Sequence, residues 1–162
     1  VTSRVSTQKK VVASTGRKEG VDGGATQSAS SEIHMTKWPD YFPEQCPPAT
    51  ARNDNIQVFR LVDGAPLSAK DFRPTIVEQP HRAFEADKLC AACGVSVFRS
   101  VQDVIKKRQR FKPLRSKKIA RGRITESDGL VLETFEPTHM TWWLQTSTPH
   151  INFIEHDEHE SA

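Results

Sequence analysis

The chain has no apolar run approaching the roughly 20 residues that a membrane-spanning helix needs, and its N-terminal region has no apolar stretch of the secretory-signal kind. A membrane partner is therefore not expected, and a cytoplasmic location is the default reading. Cysteine is scarce: three residues, an odd number, argue against a disulfide framework. No P-loop, G-x-G-x-x-G, H-E-x-x-H or G-x-S-x-G occurs, which excludes P-loop NTPases, Rossmann dehydrogenases, zincins and α/β-hydrolases in their usual form. Aromatic residues are missing from Val1 to Ser31, a stretch rich in Ser, Thr, Gly, Lys and Gln without a 3.6 or a 2 residue period. Residues 1–36 are accordingly expected to be a disordered extension. Met35, three residues before Trp38, is read as the natural start of a bacterial-type reading frame. The alternative is a flexible basic arm carrying Arg4, Lys9, Lys10, Arg17 and Lys18.

Acid is absent from one further place. Between Lys106 and Arg123 there is no Asp or Glu, while ten of the 23 Lys and Arg residues fall there. Subtracting those ten from the formal net charge of +3 leaves −7 on the rest of the chain. A basic block on an acidic remainder points to a polyanionic partner more strongly than total charge does. A solvated basic helix and strand is the structural alternative.

The folded part is expected over residues 37–148. Trp38 to Pro48 carries four prolines and three aromatics, so it reads as an irregular strap, because each proline fixes φ and removes a donor. A proline-rich ligand for a partner is the functional alternative. Ile56 to Val62 reads as a strand at a buried sheet edge. Ser68 with Asp71 reads as a capping box, and Thr75 to Glu78 as a short extended piece after Arg73-Pro74. A helix is expected over Phe84 to Cys93 and closed by Gly94, followed by a strand at Val95 to Phe98. Ser100 with Asp103 opens a helix to about Phe111, on which Val101, Val104 and Ile105 share a face. Lys117 to Ile124, Gly129 to Phe135 and His139 to Leu144 form three strand-like runs, read as a C-terminal β-meander. Residues 149–162 form an acidic, His-rich tail expected to fray. The fold class is α+β: a small, mostly antiparallel sheet, one or two helices packed on it, and disordered ends.

Three groups of residues offer chemistry. Cys90 and Cys93 have C-x-x-C spacing and, with Cys46 and a histidine such as His81 or His139, would suit a tetrahedral zinc site. Redox use and small apolar packing are the other readings. The basic block places Lys106, Lys107, Arg108 and Arg110 on a helix, then Lys112, Arg115, Lys117 and Lys118, and finally Arg121 and Arg123 on one strand face. Such a surface neutralises phosphates, and arginine can fork two hydrogen bonds onto one. Without a helix-turn-helix, zinc-finger or RNP pattern, contacts to DNA or RNA would fall mainly on backbone and shape. Finally, alternation along the last strand sets His139, Thr141 and Trp143 on one side. That side is a candidate floor for a nucleobase or nicotinamide.

Arg60, Ser96 and Glu126 or Glu133 follow the chain order of the Arg, Ser and Glu positions of ADP-ribosyltransferase-like domains, which the chain resembles at these three positions and in strand placement. The resemblance implies NAD as cofactor, with Arg60 on a phosphate, Ser96 supporting the nicotinamide pocket, the glutamate stabilising the departing sugar cation, and His139 nearby. Three functions are thus open. The leading one is an accessory domain that binds nucleic acid through Lys106 to Arg123. The others are an NAD-using transferase of a bacterial conflict system and a module for an acidic protein partner.

Overall fold

A computed structural model describes residues 38–64 and 66–159. The N-terminal extension, the Met35 start and the final three residues of the tail lie outside the described residues. Six strands form one antiparallel sheet: β1 (Ile56–Val62), β2 (Val95–Phe98), β3 (Lys118–Ile124), β4 (Gly129–Glu133), β5 (His139–Leu144) and β6 (Phe153–Glu155). They lie in the order β4-β5-β2-β1-β3-β6. Among the described residues three α-helices accompany them: α1 (Thr75–Glu78), α2 (Ala86–Ala92) and α3 (Val101–Arg110). The α+β class holds. Among the described residues no helix is long and apolar enough to cross a membrane.

Four local expectations are corrected. β1 is an interior strand and not an edge, flanked by β2 and β3. Val58 and Val62 on one side and Phe59 on the other are buried, so both faces of this central strand are covered. Thr75–Glu78 is a helical turn, with Pro74 before it in extended geometry and Gln79 N–H closing onto the Thr75 carbonyl. The three C-terminal runs do not lie side by side: β4 and β5 form a hairpin, while β3 sits across the sheet between β1 and β6. The tail does not fray at 149. Gly122 pairs with Phe153 and Ala120 with Glu155, and Phe153 and His156 are buried.

Alternation sorts the side chains into two layers. On one face Val58, Val62, Val95, Val97, Ala120, Ile124, Val131, Met140 and Trp142 join Phe72 and Phe153 in the main core. Trp142 and Phe153 stack with ring centroids 6.1 Å apart, although their strands are four positions apart in the sheet. A flat sheet would separate those strands by about 19 Å, so the sheet is strongly curled and this face is its concave interior. Gly122 permits the closure, since a Cβ there would run into the Phe153 ring and would lie 2.5 Å from the Asn152 carbonyl oxygen. On the convex face Phe59, Phe98 and Ile119 receive Val101, Val104 and Ile105 of α3. α2 crosses the same face over β5, where the buried Trp143 donates its indole N–H to the Cys90 carbonyl at 2.8 Å. Gly94 follows α2 as expected but has no positive φ. It is required because a Cβ would lie 2.9 Å from the Trp142 carbonyl oxygen.

Candidate functional site

α2 and α3 lie on the convex face, and a cleft of about 300 Å³ opens there, lined from all three helices, the sheet and two loops. Its floor comes from the sheet: Ser96 of β2 with His139 and Thr141 of β5. Ser96 is the one exposed residue of β2, which marks the point where neither helix covers the sheet. α2 supplies Lys88, Ala91 and Ala92, α3 supplies Lys107, and α1 supplies Thr75. Arg82 and Phe84 come from the loop before α2, and Phe135 from the β4–β5 connection. The lining holds three fixed cations and no carboxylate.

The floor is organised by hydrogen bonds. His139 Nδ1 lies 3.0 Å from the Thr134 carbonyl oxygen and 3.0 Å from its Oγ1. A carbonyl only accepts, so Nδ1 carries the proton in the neutral ring and Nε2 keeps its lone pair. Thr134 Oγ1 in turn lies 2.8 Å from Thr141 Oγ1. Burial holds the His139 pKa below the ordinary histidine value, helped by the Lys107 charge and opposed by the Thr134 carbonyl and Glu136. At the rim, Phe135 has φ +65° and is 71% exposed, and its ring lies 5.5 Å from that of His139. A bulky residue at positive φ is strained. The Arg82 guanidinium sits 4.7 Å from the Phe84 ring centroid. Lys107 Nζ lies 5.1 Å from the Phe111 centroid and the Arg110 guanidinium 5.6 Å from it, so Lys107 links the cleft to the exposed Phe111.

The basic block is divided. Arg108 makes two hydrogen bonds to the Glu158 carboxylate at 3.0 and 2.7 Å and a third to the Lys117 carbonyl. That pairing raises the Arg108 pKa and lowers that of Glu158. Lys117 pairs with Asp63 at 3.0 Å, Lys118 with Glu155 at 3.7 Å, and Arg115 donates to the Gln109 carbonyl. Lys106, Lys107, Arg110, Lys112, Arg115, Arg121 and Arg123 make no ion pair with a described residue. Arg121 and Arg123 line a separate hollow of about 250 Å³ with Gln57, Asn152 and Ile154.

The transferase arrangement does not assemble. Arg60 faces the concave interior, 5.7 Å from the Phe72 ring, and donates to the carbonyls of Asp71 at 2.9 Å and Ser96 at 2.7 Å. Burial lowers its pKa to about 10, so it stays charged at neutral pH. The Ser96 side chain lies on the opposite face. Glu133 is engaged by Arg52 through two hydrogen bonds at 3.1 and 3.2 Å, with Arg99 at 3.8 Å. That lowers its pKa, the Arg52 hydrogen bonds being the main cause. Its strand lies three positions from that of Arg60. Glu126 sits in the turn before β4, with its carbonyl accepting from Asn53.

The cysteine reading is also corrected. Cys46 and Cys90 form a disulfide with a Cα–Cα separation of 5.5 Å, and Cys93 is free and buried. Burial raises the Cys93 pKa. No thiolate pair is left for zinc, and an odd cysteine count proves compatible with one bridge. Trp143 shares the face of His139 and Thr141 but is fully covered and is not a cleft residue. The sequence reading missed Arg82, Phe84, Lys88 and Phe135, which belong to no motif. Comparison with protein-family models, curated proteins and solved structures finds no match.

Proposed function

We propose that this domain binds single-stranded nucleic acid. What carries the reading is the set of cations without an ion pair to a described residue beside exposed phenyl rings: Lys107 and Arg110 lie 5.1 and 5.6 Å from the centre of exposed Phe111, and Lys107 also lines a cleft whose lining has no carboxylate. Cations that track a backbone, interleaved with rings on which bases stack, are what sequence-tolerant single-strand binding requires. Duplex DNA offers its phosphates but no free base faces, so it would use only half of this surface. Lys106, Lys112, Arg121 and Arg123 extend the cationic area. NAD chemistry lacks comparable support, because Arg60, Ser96 and Glu133 do not converge.

The test is fluorescence polarisation against labelled single- and double-stranded DNA and RNA over a salt series. Single strands are expected to bind more tightly than duplexes of equal charge. Replacing Arg110 and Lys112 by Ala should make the salt slope shallower by about 1.4, roughly 0.7 for each lost phosphate contact, with thermal stability unchanged. Equal binding to polyglutamate would move the reading to an acidic protein partner, and no binding to any nucleic acid at low salt would end it.

A further inference from the structure

The cleft differs from the rest of the basic surface in drawing its lining from all three helices, the sheet and two loops and in being polar at its floor, which are the properties of a site for one defined ligand. We infer that it is a nucleoside monophosphate site, taking the phosphomonoester on Arg82, Lys88 and Lys107 and the base on the rings of Phe84 and Phe135. The inference deepens the nucleic-acid reading, in which the monophosphate would be the phosphorylated end of a strand.

A phosphomonoester carries about −1.5 to −2 at neutral pH and three strong acceptor oxygens. Three cations from three different segments line one cleft with no acid among them, and a compact multivalent anion would offset their mutual repulsion. Size narrows the ligand further. A volume of about 300 Å³ lies at the bottom of the range for small-molecule sites, roughly 300–1,000 Å³, which suits one nucleotide.

The aromatic and polar groups supply what inorganic phosphate would not use. Phe135 is held outward at φ +65° with 71% of its surface in solvent, a strained backbone position that keeps its ring at the rim of the cleft. A stacked base would recover that exposed area. His139 is fixed by the Thr134 carbonyl with its Nε2 lone pair free, so it accepts a hydrogen bond from a base N–H or a ribose hydroxyl, neither of which a bare anion offers. Ser96, exposed in the middle of the floor, adds a hydroxyl that either donates or accepts.

The test titrates the full chain, by calorimetry, with AMP, GMP, CMP and UMP and in parallel with ribose 5-phosphate and inorganic phosphate. Oligonucleotides bearing a 5′-phosphate, a 3′-phosphate or neither are then compared by polarisation. The monophosphates are expected to bind at least fivefold more tightly than ribose 5-phosphate, the share due to base stacking. Lys88→Ala should weaken them about tenfold, as loss of a charge-assisted hydrogen bond does. Phe135→Ala should erase the preference over ribose 5-phosphate while leaving the melting temperature within a degree or two, so a folding defect is not mistaken for the effect. A preference for one phosphorylated end, competed by the free monophosphate, identifies a strand terminus as the source. Monophosphate binding with no end preference identifies free nucleotide. The inference is overturned if monophosphates bind no better than inorganic phosphate, or if Lys88→Ala and Phe135→Ala change nothing. Oligonucleotide binding that ignores terminal phosphate and is not competed by monophosphates would sink the cleft and leave the single-strand surface standing.

Discussion

Opening the Cys46–Cys90 bridge gives the most quantitative check on this architecture. The two residues are 44 apart in sequence, and closing a loop of that length removes about 13 cal/mol/K of chain entropy from the unfolded state, or about 4 kcal/mol at 25 °C. At roughly 3–5 °C per kcal/mol for a domain of this size, the expected loss is about 12–20 °C in Tm. The bridge also anchors α2, which bears Lys88 and whose Cys90 carbonyl accepts from Trp143. The effect should therefore reach the cleft as well as the fold. Protein purified without reductant is denatured and alkylated, and its mass is read before and after reduction. One label is expected before reduction, on Cys93, and three after. Thermal melts with and without reductant, and of Cys46→Ser, supply the energy. Three labels in the unreduced protein, a Cys90–Cys93 linkage by peptide mapping, or a Tm change below about 3 °C would refute the reasoning.

Other outcomes follow from the packing and the titrating groups. Gly122→Ala places a methyl against the Phe153 ring and the Asn152 carbonyl oxygen, and overpacking of this kind costs about 1–3 kcal/mol. Urea unfolding should show the loss, and an unchanged midpoint would mean that β6 does not close the core as described. His139 has a folded-state pKa below its unfolded value, burial being the main cause. The unfolded chain therefore binds the proton more readily, and stability is full above about pH 6.5 and falls as pH drops through that value toward the folded pKa. The facing Lys107 adds to this and Glu136 opposes it, whereas Glu133 and Glu158, with pKa values lowered by their arginine partners, lose their contributions only at more acidic pH. Urea midpoints from pH 8 to pH 5 should decline for the native chain and less for His139→Gln, and parallel curves would remove His139 as the cause.

What the sequence made legible was local. The Ser68 box forms, with Asp71 Oδ2 accepting from Ser68 N–H at 3.0 Å. Ser100 caps α3 by accepting from Asp103 N–H, although the Asp103 carboxylate accepts from Thr138 instead of closing a box. β5 spans the six residues that its alternation indicated, and alternation also placed His139 beside Thr141. Contacts set by the curl of the sheet were not legible. β6 is three residues with one inward ring, too short to show a period, and its role appears only when Gly122 and Phe153 meet. Trp143 carries the same alternation as His139, and only the path of α2 decides that one is core and the other lines a cleft. Arg82, Lys88 and Lys107 converge from segments with no shared spacing, so no linear motif could announce them.

The division of the basic block changes what its charge can do. Residues 155–158, read from sequence as part of a free acidic tail, return to the block: Glu155 meets Lys118 and Glu158 meets Arg108. Asp63 meets Lys117. These three pairs take cations from the β3 side of the block and from the inner side of α3, and leave Lys106, Lys107, Arg110 and Lys112 near the end of α3. A single strand that engaged all ten cations would show a salt slope near −7, and one that engaged the seven without an ion pair to a described residue would show about −5. The surface pairs are individually weak, so a strand long enough to reach β3 competes with the carboxylates for the same cations. Oligonucleotides of increasing length separate the two cases. A slope that levels near −5 means that the tail acids keep their partners and confine the ligand to the end of α3 and the cleft, with Arg121 and Arg123 beyond. A slope that climbs toward −7 means that the strand displaces Glu155 and Glu158, making the C-terminal segment a built-in competitor for its own nucleic-acid surface.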